Sequence, residues 1–157
     1  MCRGGCTVAG LEQETEQALH LYRVFSRAFR SVTEHSLRDI KSHGLHPTEF
    51  SVLELLYHKG PQPLQQIGAS ILLASGSVTY VIDKLEQNGM INRQPCPHDR
   101  RVTHAELTEK GRSLIEQIFP VHAQALRLAV SGLSAAEKEQ AIMLLRKLGM
   151  EAAKLLK

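Results

Sequence analysis

Gly89-Met90-Ile91-Asn92-Arg93-Gln94-Pro95-Cys96-Pro97-His98-Asp99-Arg100-Arg101-Val102-Thr103-His104-Ala105-Glu106-Leu107-Thr108-Glu109-Lys110-Gly111 decides how the rest of the chain is read. Two strand-like runs, residues 90–94 and 102–107, flank a tip that holds two prolines, one acid and two adjacent arginines. Leu107-Thr108-Glu109-Lys110-Gly111 then opens a helix, with Thr108 as its cap. A short hairpin with a basic tip, set behind helices, is a shape that carries charge into a nucleic-acid groove.

Outward from the hairpin the pattern is helical. Apolar residues from Leu11 to Leu37 recur at three- and four-residue steps, which predicts a long helix over 11–41, closed by Gly44. Pro47-Thr48-Glu49 opens a second helix with Phe50, Leu53, Leu56 and Tyr57 inward, ended by Gly60-Pro61. A short third helix is expected over 63–71, with Leu64, Ile67 and Ile71 inward. Ser75 suits the N-cap of a fourth helix over 76–88, which turns Val78, Val81, Ile82 and Leu85 inward and ends at Gly89. The fifth helix is expected to run from Thr108 to Val130, bent or broken at Pro120. Ser134-Ala135-Ala136-Glu137 is a capping box for a last helix reaching Leu156, striped by Ile142, Leu145, Leu148, Ala152 and Leu155.

Composition bounds the function. The 157 residues are 43% hydrophobic, enough for one domain with a core. No apolar run approaches the ~18 residues that span a membrane. Residues 1–10 read as a flexible leader without a sustained apolar region. Three cysteines, two of them in that leader, are a poor disulfide framework and suit the cytoplasm. A net charge of +3 is too small to establish a nucleic-acid partner, so charge placement carries the argument. With 4% aromatics and no Trp, stacking of single-stranded bases is disfavoured.

The outward face of the fourth helix carries Ser75, Gly76, Ser77, Thr79, Tyr80, Asp83 and Lys84. Small hydroxyl residues at a helix start admit a close approach to phosphate and base edges. By itself this reads more readily as an N-capped helix with a solvated face. The hairpin shifts the balance, because Asp99 can brace a neighbouring guanidinium before DNA arrives.

Val78-Thr79-Tyr80-Val81-Ile82-Asp83-Lys84-Leu85-Glu86-Gln87-Asn88-Gly89-Met90-Ile91, then Arg93, Asp99-Arg100-Arg101 and Leu107-Thr108-Glu109-Lys110-Gly111 resemble the MarR family of winged-helix transcriptional regulators. Leu53-Glu54-Leu55-Leu56 fits the same pattern, and the resemblance covers residues 12–157. It implies a mainly α fold: a winged helix-turn-helix lobe of three helices plus a β-hairpin wing (46–107), and an all-α dimerisation region (11–43 and 108–157). It further implies a homodimeric repressor that binds palindromic double-stranded DNA and is released by a small phenolic or oxidising effector. The fourth helix would enter a major groove and the wing a minor groove. Arg101 would be the groove arginine, oriented by Asp99, with Arg93 and Arg100 also at the DNA.

The family's effector cavity lies between the dimer helices and the reading lobe. The residues of this chain expected there are His20, Tyr22, Arg23, Arg27, His43 and Phe50, a set suited to an aromatic anion, although core and surface roles account for them as well. Cys96 sits among prolines near positive charge and is a candidate redox-sensing thiol. In peroxide-sensing relatives the reactive cysteine lies early in the first helix, where this chain has Leu19, so quinone-type sensing is the version left open. No zinc spacing, phosphate loop or nucleophile elbow is present, so the sequence asks for no metal or cofactor and no enzymatic role. The alternatives are a helical protein-interaction module without DNA binding, or a thiol sensor built on Cys96.

Overall fold

The computed structural model describes residues 8–71, 78–96, 99 and 101–156. The elements run α1 (Val8–Ser42), α2 (Pro47–Lys59), β1 (Gln62–Pro63), α3 (Leu64–Ser70), α4 (Val78–Gln87), β2 (Ile91–Pro95), β3 (Thr103–Leu107), α5 (Glu109–Ala129) and α6 (Ala135–Lys154). The helices and the hairpin fall where the sequence pattern sets them. The helix start expected at Ser75 and Gly76 lies outside the described residues.

α2 is the centre of the core. Phe50, Val52, Leu53, Leu55 and Leu56 are all buried, and so are Thr48, Glu49 and Ser51. The sequence shows one apolar stripe on this helix, whereas the fold covers nearly its whole circumference. Ile40 of α1, Ile67 of α3, Val81, Ile82 and Leu85 of α4, Ile91 of β2, Ala105 of β3, and Ile115 and Ile118 of α5 close around it. Burying side chains of this size stabilises by about 1.5–3 kcal/mol each. The start of α2 is fastened by His46, whose Nδ1 accepts from Thr48 N at 3.3 Å while Glu49 Oε2 accepts from His46 N at 2.8 Å. This reciprocal pair is a capping box built on histidine.

The sheet is antiparallel, in the order β1-β3-β2. β2 and β3 pair from Ile91↔Leu107 to Pro95↔Thr103. β1 adds Gln62↔Ala105 and Pro63↔His104. Two residues carry no alternation, so this strand is not visible in the sequence, and Pro63 lies in it rather than in the third helix. Gly89, at φ 69, ends α4 in a left-handed turn. There Met90 N donates to Leu85 O at 2.9 Å and Gly89 N to Glu86 O at 2.8 Å, a Schellman closure that sends the chain straight into β2.

Two further expectations change. α1 begins at Val8, so residues 8–10 belong to the helix and not to a leader. Extending a formed helix adds a hydrogen bond per residue without a new nucleus, which carries it through Gly10. α5 is continuous through Pro120. Pro120 is exposed, as is Glu116, whose carbonyl would otherwise accept from position 120, while Ile115, Ile118 and His122 are buried on the other side.

α1 and α6 stand largely outside the core. α6 buries no residue in this chain. Tyr22, Phe25 and Phe29 of α1 and Ile142, Leu144, Leu145 and Leu148 of α6 are exposed. No helix is long and apolar enough to cross a membrane among the described residues.

Candidate nucleic-acid interface

α4 is set by its apolar side. Val81, Ile82 and Leu85 are anchored in the core, which turns Thr79, Tyr80 and Lys84 outward. Tyr80 is 68% exposed. Ser75, Gly76 and Ser77 lie outside the described residues.

The wing is built by β2 and β3 and closed by Cys96 N donating to Val102 O at 2.8 Å and Val102 N donating to Asp99 O at 3.0 Å. Asp99 Oδ1 accepts from Arg101 N at 3.0 Å and from Arg101 Nε at 3.4 Å. The carboxylate therefore holds both ends of the arginine, while the Arg101 side chain remains 92% exposed. An extended guanidinium at a hairpin tip, aimed by an acid two residues back, is a donor available to phosphates or to a narrow groove. Arg100 lies outside the described residues.

Lys84 and Arg93, both expected at DNA, have partners within the chain. Lys84 Nζ lies 2.6 Å from Glu49 Oε1 at the start of α2. Arg93 pairs with Asp83 and, at 3.0 Å, with Glu86 Oε2. Burial pushes the Glu49 carboxyl up, but hydrogen bonds from Lys84 and His46 N and the charge of Lys84 outweigh it and hold the group below its ordinary 4.5. The Glu49 bond raises Lys84 in turn, and the Asp83 bond raises Arg93 against the opposing effect of burial. A depressed carboxyl contributes stability that is complete above pH 4.5 and is lost as pH falls through its lower folded value. Glu49→Gln should therefore be less stable than the parent at pH 7, and urea unfolding should show the gap closing as pH falls below 4.5. Parallel stability curves over that range would remove Glu49 from the acid response.

The matching family model is the MarR family, over residues 45–103. The chain is 57% identical over 145 residues to the HTH-type transcriptional regulator YkoM of Bacillus subtilis (strain 168), covering 92% of this chain and 94% of that protein. It is 55% identical over 138 residues to the HTH-type transcriptional regulator MhqR of the same strain, covering 88% and 95%. The chain belongs to the MarR family of transcriptional regulators. Among solved structures, Sco3205 of Streptomyces coelicolor, a MarR family regulator in complex with DNA, superposes with a TM-score of 0.75 at 20% identity, over 85% of this chain and 90% of that one. BpsR of Bordetella bronchiseptica, whose DNA binding is regulated by 6-hydroxynicotinic acid, gives a TM-score of 0.70 at 27% identity, over 81% and 91%. The winged helix-turn-helix read from the sequence is the fold of these proteins.

For a MarR-family chain the expected effector residues are dispersed within one subunit. His20, Tyr22, Arg23 and Arg27 are exposed on the free part of α1. Phe50 is buried in α2 and His43 is half-buried beyond the end of α1. Arg27 and Ser42 alone are separated by about 22 Å of helix axis, so a single subunit does not gather the set into one cavity. What the fold places beside His43 and Phe50 is a polar pair that sequence spacing misses. His122 Nδ1 of α5 lies 2.8 Å from Asp39 Oδ2 of α1, and its ring stands 4.6 Å from Phe50. His43 Nε2 lies 3.6 Å from the other Asp39 oxygen. Asp39 and His122 are 83 residues apart, so only an i,i+4 pair, Asp39 and His43, was open to detection. Cys96 is a free, half-buried thiol at the tip end of β2, next to the wing's closing turn. No cluster of three or more His, Cys, Asp or Glu able to hold a metal occurs among the described residues.

Proposed function

We propose that this regulator is a cytoplasmic homodimer that represses transcription by binding a palindromic duplex, with α4 in a major groove and the wing in the adjacent minor groove. α1, α5 and α6 form the dimer in this reading, which leaves residues 46–107 as the reading lobe. Catalysis has no part in it. The carrying observation is Arg101, 92% exposed and held at its backbone and its Nε by Asp99. Repression is supported by a 31% identical relative, the transcriptional repressor MprA of Escherichia coli (strain K12), matched over 84% of this chain and 76% of that protein. A small phenolic or oxidising effector loosens the complex in this reading; the aromatic version is supported by the BpsR likeness and by the polar group of Asp39, His43 and His122 where the dimer helices meet the lobe. Such an effector needs only a coupling of ~1–3 kcal/mol to respace the two lobes.

Arg101→Ala tests the reading. Duplex affinity should fall about 5- to 150-fold, as expected for the loss of ~1–3 kcal/mol. The slope of log K against log salt should drop by roughly one if Arg101 meets phosphate. Equal affinities for the two proteins would overturn the wing assignment.

A further inference from the structure

The placement of Arg93 gives it a role other than touching DNA. It lies in β2, paired across the hairpin with the fully buried Ala105. Its guanidinium reaches back to α4 and engages two carboxylates at once, Asp83 through one terminal nitrogen and Glu86 through the other. These acids are three residues apart on one helix face, so the planar fork is fixed at two points and its direction as well as its distance is set. The side chain is 32% exposed, against 92% for Arg101, and Arg93 Nε is buried without a hydrogen-bond partner. The head is thus committed to α4.

β1 supports β3 only at His104 and Ala105; beyond them the wing is a two-stranded hairpin, which is at best marginally rigid alone. A wing that extends beyond the core needs a brace if its tip is to meet a groove at the same time as a helix meets the next one. Two contacts on one rigid body reinforce each other, because once the first has formed the second is already in place. We infer that Arg93 is a positioning residue, a strut between β2 and α4 that fixes the wing at the angle where Arg101 and the α4 face engage one duplex together. The inference rests on the proposed DNA-reading function.

The test is a pair of double-mutant cycles on duplex affinity, with the wild-type full chain as the first arm. Arg93→Gln should weaken binding about tenfold in the wild-type background, but less than twofold when Arg101→Ala has already removed the wing contact. Combined with Tyr80→Ala on α4, the Arg93→Gln loss should persist in full. Arg93→Lys keeps the charge but cannot bridge both acids. It should show an intermediate loss that also vanishes with Arg101→Ala, and it serves if Arg93→Gln fails to give a cooperative melt. Additive losses of Arg93 and Arg101 would mean that Arg93 meets DNA itself, and would overturn the strut while leaving the DNA reading intact. A loss that vanishes equally with Tyr80→Ala would mean that Arg93 acts through the α4 surface rather than through the wing, and would also overturn it. A wild-type protein without duplex affinity would overturn the proposed function and this inference with it.

Discussion

Gly111→Ala is expected to be the most damaging glycine-to-alanine substitution among the described residues. A Cβ built on Gly111 falls 2.0 Å from Met90 O and 2.9 Å from Met90 C, with Leu107 Cδ2 at 3.3 Å. Carbonyl and helix backbone cannot rotate aside as a side-chain end can, so the start of α5 has to move off the end of α4. That movement strains a dense set of bonds: Thr108 Oγ1 to Gly89 O at 2.7 Å, Thr108 N to Met90 O at 3.0 Å, Lys110 Nζ to Asn88 O at 2.8 Å, and the cap from Gly111 N to Thr108 Oγ1 at 3.1 Å. Overpacking costs ~1–3 kcal/mol and a lost cap ~1 kcal/mol, so about 2–4 kcal/mol is expected. That is a large share of a typical total of ~5–15 kcal/mol. Gly132 has nothing within 4 Å of its Cβ position, and Gly132→Ala should stay within about 0.5 kcal/mol of the parent. Urea unfolding of the two variants measures the contrast. A Gly111→Ala protein within about 1 kcal/mol of the parent would show that the α4–α5 junction yields.

The same junction shows what a sequence carries in plain view and what it does not. Thr108 as a cap, Gly89 as a stop and the two strands between them are written locally, because capping and hairpin closure involve residues only a few positions apart. The docking of Gly111 on Met90 brings together residues from two elements, and nothing in Leu-Thr-Glu-Lys-Gly names the carbonyl it will meet. The interface divides in the same way. The Asp99–Arg101 brace spans two residues and was legible. Lys84 reads as a free cation until the fold brings Glu49 from 35 positions away. Arg93 reads as one more basic wing residue, although Asp83, Glu86 and Arg93 sit close enough in sequence that an acid pair facing a hairpin arginine was a readable signal. Local chemistry fixed the elements and the tip of the wing, while the long-range ion pairs decided which cations are free to meet a partner.

Leu145→Glu with Leu148→Glu should convert the proposed dimer to a monomer and remove most of its affinity for a palindromic duplex. Leu145 and Leu148 lie one turn apart on α6, 49% and 41% exposed, beside Ile142 at 50%. A 20-residue helix that buries nothing in its own chain has no packing to hold it, and packing supplies most of a helix's stability. Exposed aromatic and aliphatic residues of α1 (Tyr22, Phe25, Phe29) offer a second surface of the same kind. Apolar area of this extent is rare on a monomer, and closed two-fold pairing is the commonest way to cover it. Two carboxylates inside such an interface would each have to be desolvated without a partner, at several kcal/mol apiece. The winged-helix core draws no residue from α6, so the lobe itself is not the target of the substitution. Light scattering at micromolar concentration should give twice 17.5 kDa for the parent and 17.5 kDa for the variant. Losing the second lobe turns bivalent binding into monovalent binding, a fall of roughly 10²–10⁴ on a full palindrome, with little change on an isolated half-site. A double variant that keeps the dimer mass would place the subunit interface elsewhere. A monomer that binds the palindrome as tightly as the parent would show that one lobe reads the whole site.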